Sequence, residues 1–258
     1  MKISRRDTMK LGLAGAAGLG LSGLMSFGAR AQDAAGDSYP TENGEITVYP
    51  VEHASFVMSA AGTIIYCDPV GGAEAYADLP PPDLILITHE HGDHFDLETV
   101  TAIMGEETRI IANPAVHEKL PDELKAKAEA IANGESTDVD EINIEAIPAY
   151  NLTEDRLQYH PKGRDNGYVL TIDGRRVYVA GDTEDIPEMR ALTDIYIAFV
   201  PMNLPYTMDV DQASSAVSEF KPENVYPYHY GDSDVEAFAT KVKEAAPETN
   251  VVLGAWYS

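Results

Sequence analysis

Residues 88–94 read Thr-His-Glu-His-Gly-Asp-His, and no other run constrains this chain so tightly. Four of its side chains, His89, His91, Asp93 and His94, are potential metal ligands within six positions. Ahead of them stands Asp-Leu-Ile-Leu-Ile at 83–87, an apolar stretch of the kind that forms a strand buried on both faces. The ligands therefore fall where a strand ends and a loop begins. His89 and His91 are two residues apart, so an extended backbone points both to one side. Gly92, lacking a Cβ, is expected to take a φ that other residues avoid and so turn Asp93 and His94 into the same space. Imidazole and carboxylate donors suit zinc, iron or manganese. Four donors exceed what one tetrahedral ion easily takes from so short a loop, which implies two adjacent metals. The plain alternative is a His-rich surface loop. Only seven histidines occur in the chain, and three of them fall here, directly behind the predicted strand.

The pattern around this run alternates short strands and helices. Strands are predicted over 45–49, 54–59, 63–66, 83–88, 109–112 and 141–149, with a turn at Ala60-Ala61-Gly62. Helical spacing marks 97–104 and 122–132, the latter with Pro121 at its start. A second series opens with a hairpin, 168–172 and 176–180, around Asp173-Gly174. Strands at 194–200, 224–228 and 251–254 follow, with helices at 210–220 and 235–246. No repeat recurs at a fixed period. Two such series suggest two sheets packed face to face with helices outside.

The chain has 258 residues and a formal net charge of −25. A surface this acidic repels phosphate backbones, so no nucleic-acid partner is expected. A metal pair would still be a local positive centre, open to small anionic substrates. The single cysteine, Cys67, excludes an intramolecular disulfide and reads as a small buried strand residue.

Residues 4–10 read Ser-Arg-Arg-Asp-Thr-Met-Lys, followed by a Gly- and Ala-rich apolar stretch and then Ala29-Arg30-Ala31. This resembles a twin-arginine export signal with its cleavage site; an uncleaved anchor is the alternative. Export would use the twin-arginine translocase and leave the protein periplasmic or secreted. Removing five basic residues and one acidic residue moves the charge from −25 to −29. The expected organisation is a signal over 1–31, a flexible lead-in over 32–44 and one domain over 45–258.

The His-x-His-x-Asp-His run resembles the signature of the metallo-β-lactamase-fold hydrolases. That resemblance, across 45–258, implies an α+β fold, a four-layer αβ/βα sandwich with metals at one edge between the sheets. It also carries further residues into the site. Asp182, in Val-Ala-Gly-Asp-Thr behind a predicted strand, matches the family's bridging carboxylate; a helix N-cap is its ordinary alternative. His229, in Tyr-Pro-Tyr-His-Tyr, matches the last histidine ligand; a capping or core histidine is the alternative. Many relatives carry a histidine where this chain has Asn151, and His160 in Tyr-His-Pro-Lys-Gly is the candidate substitute. The implied sites are His89, His91 and His160 for one ion and Asp93, His94 and His229 for the other, bridged by Asp182. His53 resembles a histidine near the start of lactonase-like members, there to touch substrate, to support a ligand or simply to be structural. Asn151 is likewise a candidate substrate contact, and Tyr150, Lys162, Tyr206 and Met208 are candidates for the mouth. His117 reads as a surface residue.

The resemblance is strongest to the lactonase-like branch, which includes L-ascorbate-6-phosphate lactonase. It implies two divalent ions, zinc first, with iron or manganese also compatible. A metal-activated hydroxide would attack a small ester, lactone or phosphodiester, with Asp93 and Asp182 as catalytic carboxylates. A non-catalytic metal-binding protein that keeps the fold is the competing reading, raised by Asn151. An iron redox protein is a third, and would need a flavin-bearing partner.

Overall fold

Strand-forming segments organise residues 36–257, those described by the computed structural model, into two sheets of seven strands each. The expected signal over 1–31 lies outside these residues. The first sheet runs β1 (Asp37–Pro40), β2 (Glu45–Glu52), β3 (Ser55–Ala60), β4 (Thr63–Cys67), β5 (Leu84–Ile87), β6 (Arg109–Ala112) and β7 (Ala128–Ala130) in chain order. The second holds β8 (Ser136–Val139), β9 (Ile142–Ala149), β10 (Asp165–Ile172), β11 (Arg175–Val179), β12 (Ile195–Pro201), β13 (Asn224–Tyr228) and β14 (Asn250–Val251), again in order. Each sheet begins with three antiparallel pairings and continues with three parallel ones. The two halves thus repeat a topology without repeating a sequence.

Antiparallel neighbours need only tight turns. Asp173 and Gly174 both have positive φ, 47° and 74°, as the two-residue hairpin turn requires. Parallel neighbours need crossovers. In the first half a short 3-10 turn (Ala73–Tyr76) lies between β4 and β5, α1 (Leu97–Ile103) between β5 and β6, and α2 (Pro114–Lys119) with α3 (Asp122–Lys125) between β6 and β7; in the second, α4 (Pro187–Arg190), α5 (Val210–Phe220) and α6 (Val235–Ala245) serve one crossover each. Asn113 caps α2, and Asp209 with Gln212 forms a reciprocal capping box on α5.

The inner sheet faces share one apolar core that includes Phe56, Met58 and Leu86 from the first sheet and Tyr168, Phe199 and Tyr226 from the second. Phe56 and Phe199 stack across it with ring centres 3.9 Å apart. Separate apolar layers join each outer face to its helices, Ile85 and Ile87 to Val100 and Val116, and Ala198 to Val217 and Phe238. All four residues of β5 are buried, as a strand covered on both faces demands. The result is the expected four-layer α+β sandwich. Burial of each large apolar side chain contributes about 1.5–3 kcal/mol.

Three expectations need correction. The helix expected over 122–132 stops at Lys125, and Ala128–Ala130 pairs with β6 as an edge strand. Alanine-rich local preference yields there to an open sheet edge. The strand expected over 251–254 is only Asn250–Val251. Within the lead-in expected to be flexible, Asp37–Pro40 forms β1 against β2. Tyr39 anchors it, packing edge-on to Tyr196 and Tyr226.

Candidate metal centre

The pairing pattern makes β2, β4 and β5 mutually parallel in one sheet and β9, β11 and β13 in the other. Residues just past their carboxyl ends include His53, Asp68, His89, Asn151, Asp182 and His229. This is the end of an open sheet at which binding residues collect. Main-chain groups there are released from the ladder, and side chains can turn inward.

The 88–94 turn is fixed from beneath by Asp68. Its Oδ1 accepts the Thr88 N–H at 2.7 Å and its Oδ2 the Thr88 hydroxyl at 2.6 Å. The turn then closes on itself, with His94 and Phe95 N–H both donating to the His91 carbonyl. Gly92 does not adopt positive φ, contrary to expectation. That conformation is needed elsewhere, at His53 (54°), Gly181 (64°) and His229 (45°). Only glycine suits position 181. A Cβ there would lie 2.8 Å from the Asn166 carbonyl oxygen and 3.1 Å from the Thr88 Cβ. The close pass beneath Thr88 delivers Asp182 to the 88–94 turn.

Two clusters result, each with ligand atoms within 4.8 Å of one another: His89, His91, His160 and Asp182, and His53, Asp93, His94 and His229. Asp182 faces both. Its Oδ1 is 3.2 Å from His94 Nε2, and its Oδ2 is 3.3 Å from His160 Nε2, 3.4 Å from His229 Nε2 and 3.8 Å from His89 Nε2. His160 comes into the first cluster, 4.8 Å from the His91 ring by centroid. Asn151 belongs to neither cluster. Its amide nitrogen donates to the carbonyls of Arg156 and Tyr206, tying two loops together. Asp182 caps no helix, because the N-cap of α4 is Ile186.

The donor set fits divalent metals. His94 Nε2, His160 Nε2 and Asp182 Oδ1 are buried and lack a hydrogen-bond partner. They stand close together without the angles of hydrogen bonds, so their lone pairs converge on shared space. An ion between them would satisfy atoms that are otherwise costly to bury.

Outer partners set the rings. Asp68 Oδ2 receives His94 Nδ1 at 2.8 Å, and Asp165 Oδ2 receives His160 Nδ1 at 3.2 Å, leaving each Nε2 to face Asp182. Arg164 grips Asp165 through Nε at 2.7 Å and Nη2 at 2.8 Å. The sequence reading did not single out Asp68, Asp165 or Arg164; an aspartate directly behind the buried β4 was the available signal for the first. Burial and the neighbouring imidazoles hold His89 well below its usual pKa. Burial pulls His94 down as well, but Asp182 and Asp68 overcome it and raise the pKa. Burial pushes Asp182 up, yet His229, His94 and His160 hold it well below the carboxylate range. Asp182 is thus kept charged and His89 neutral, the states in which they bind metal, whereas His94 would release its proton as an ion enters.

Lys162 Nζ and the Tyr150 hydroxyl meet at 2.9 Å and both reach Glu188 on α4, with the Tyr150 ring buried in the outer core. Tyr206 is exposed and packs edge-on to Tyr159, whereas Met208 is buried in the outer core. His117 is half-buried on α2, outside both clusters.

Known proteins share this fold and family. The family described as beta-lactamase superfamily domain matches residues 47–229. A UPF0173 metal-dependent hydrolase of Pyrococcus abyssi is 31% identical over 209 residues, spanning 75% of this chain and 91% of the relative. A solved protein of Parabacteroides distasonis, described as a metal-dependent hydrolase, is 43% identical with a TM-score of 0.79, over 86% of this chain and 99% of its own. Igni18, a metallo hydrolase of Ignicoccus hospitalis, is 25% identical with a TM-score of 0.68, over 83% of this chain and 96% of its own. The chain belongs to the beta-lactamase superfamily and, within it, to the UPF0173 metal-dependent hydrolases.

Proposed function

We propose that this protein hydrolyses a small ester, lactone or phosphodiester, using two divalent ions held at the paired clusters. The observation that carries the reading is the buried convergence of His94, His160 and Asp182, whose free lone pairs have no partner but one another. Bound there, divalent ions would polarise the substrate oxygen and lower the pKa of water. Asp182 would hold the pair together through its two oxygens. Asp93, with its side chain 50% exposed, stands at the open side, where it can take a proton from water or pass one to a leaving group. His160 in the first cluster supports catalysis over the reading as an inactive metal-binding relative, because the position opened by Asn151 is refilled. Zinc fits the imidazole-rich set best, and iron and manganese fit it as well.

The test is metal analysis of the native protein, paired with a screen of esters, lactones, phosphodiesters and β-lactams. Close to two ions per chain are expected. Hydrolysis of an ester-type bond should vanish on chelation and return with zinc, iron or manganese. Protein never exposed to chelator that holds no metal would overturn the reading.

On this proposal the 1–31 segment sends the folded, metal-loaded domain through the twin-arginine translocase, and the mature chain begins at Gln32. Replacing Arg5 and Arg6 by Lys should trap the precursor inside. Normal export of that variant would point to another route.

A further inference from the structure

His53 is tied down more closely than a substrate contact requires. Its N–H donates to the Trp256 carbonyl at 3.1 Å, and its own carbonyl accepts the His229 N–H at 2.9 Å. Together these hold a histidine at φ 54°, a conformation that persists only where surrounding structure enforces it. Its ring lies 3.9 Å from the His229 ring by centroid. Nε2 is 3.3 Å from Asp93 Oδ2, the same distance at which His229 Nε2 meets that oxygen. Nδ1 is 2.9 Å from the Tyr257 hydroxyl, whose oxygen also accepts the Gly231 N–H at 2.9 Å. Trp256 is buried in the inner core, edge-on to Phe56 and Phe199. Gly231, Trp256 and Tyr257 all lie beyond residue 229, where the match to the shared family domain ends.

We infer that His53 is a ligand of the second metal and that Trp256 and Tyr257 form an arm that positions it. Trp256 anchors the arm in the core and fixes the His53 backbone. Tyr257 accepts the Nδ1–H, which leaves the Nε2 lone pair free for the ion. A metal-binding imidazole is normally held through its other nitrogen in this way. Tyr257 is therefore a positioning residue acting through His53, supplied by a segment outside the shared domain. The inference rests on the dimetal reading above.

The test compares zinc content, zinc release to a chromogenic chelator and the visible spectrum of the cobalt-loaded protein. It uses the full mature chain as wild type, Tyr257→Phe and His53→Ala. Tyr257→Phe keeps the ring packed on Tyr230, 4.7 Å away by centroid, and removes only the hydroxyl. Both variants should retain one ion as wild type does and hold the other more weakly, about 10- to 100-fold in Tyr257→Phe and at least as much in His53→Ala. Their cobalt spectra should change in the same band. Wild-type release and spectra in both variants would overturn the inference. So would equal loss of both ions, or a Tyr257→Phe effect that His53→Ala lacks, since either makes the arm merely structural. Melting of the metal-free forms separates a misfolded variant from a metal-deficient one. A wild type without zinc would instead defeat the dimetal reading itself.

Discussion

The two clusters are built from different depths of the same edge. In the first, His89, His160 and Asp182 are buried, and the ring of His160 is backed by Asp165, which Arg164 clamps with paired hydrogen bonds. In the second, His94 is backed as firmly by Asp68, but Asp93 is half exposed and His53 hangs from Tyr257. The inner cluster therefore has little room to relax when an ion leaves. On the dimetal proposal the outer one, open to solvent at Asp93, would exchange its ion more readily and meet substrate. A shared edge would then offer one position suited to retaining metal and one suited to working with it. Mild chelation should take the outer ion before the inner, and simultaneous release of both would break the comparison.

The largest effect is expected at the one side chain that faces both clusters. Asp182→Asn keeps the shape but removes the charge that two cations would share. At least one ion should bind weakly, and kcat should fall on the order of 100-fold or more, with a smaller change in substrate affinity. Stability should be little affected, because Asp182 caps no helix and the roughly 1 kcal/mol lost with a cap does not apply. Metal content, melting temperature and kcat measured on one preparation decide the matter. Full metal and full kcat would remove Asp182 from the site.

A step smaller is His160→Ala, which should empty the inner position and leave the outer one filled. Loss of partners that only orient a ligand weakens metal binding about 10- to 100-fold, so loss of the ligand itself belongs at or above that range. Asn151→Ala should do less, since its amide spans two loops rather than reaching either cluster. The reverse ranking would show that the third donor of the inner cluster has been misassigned.

Much of this convergence was legible because the candidate ligands obey a local grammar: buried strand, then His or Asp. The run at 88–94, Asp182 behind β11 and His229 behind β13 all follow it. The inner sandwich was legible for a similar reason, since strands buried on both faces leave near-continuous apolar runs. What stayed hidden depends on contacts between distant segments. The turn-making glycine was expected at position 92, but its φ is not positive and Gly181 bears the restriction, imposed by Asn166 of β10 and by Thr88 just past β5. The 128–130 segment looks helical until a sheet edge offers it hydrogen bonds. Tyr257 carries no local sign that it lies against His53, 204 positions away.

The finest test of the comparison lies in the two orienting carboxylates, which occupy matching roles on opposite sheets. Asp68 accepts from the Thr88 N–H, the Thr88 hydroxyl and His94 Nδ1. Asp165 accepts from Arg164 and from His160 Nδ1. An asparagine in either place turns an acceptor into an amide N–H₂ that faces another donor, leaving a buried conflict of about 1–3 kcal/mol. Asp68→Asn should thus release the His94 ring and weaken the outer ion, whereas Asp165→Asn should release His160 and weaken the inner one. Each effect should be about 10-fold at its own cluster, the low end for an orienting partner. Competitive zinc titration, with the cobalt spectrum assigning each step to a cluster, reads both. Crossed effects of equal size would mean that Asp182 couples the ions so tightly that inner and outer are one site, and the difference in depth would then have no chemical consequence.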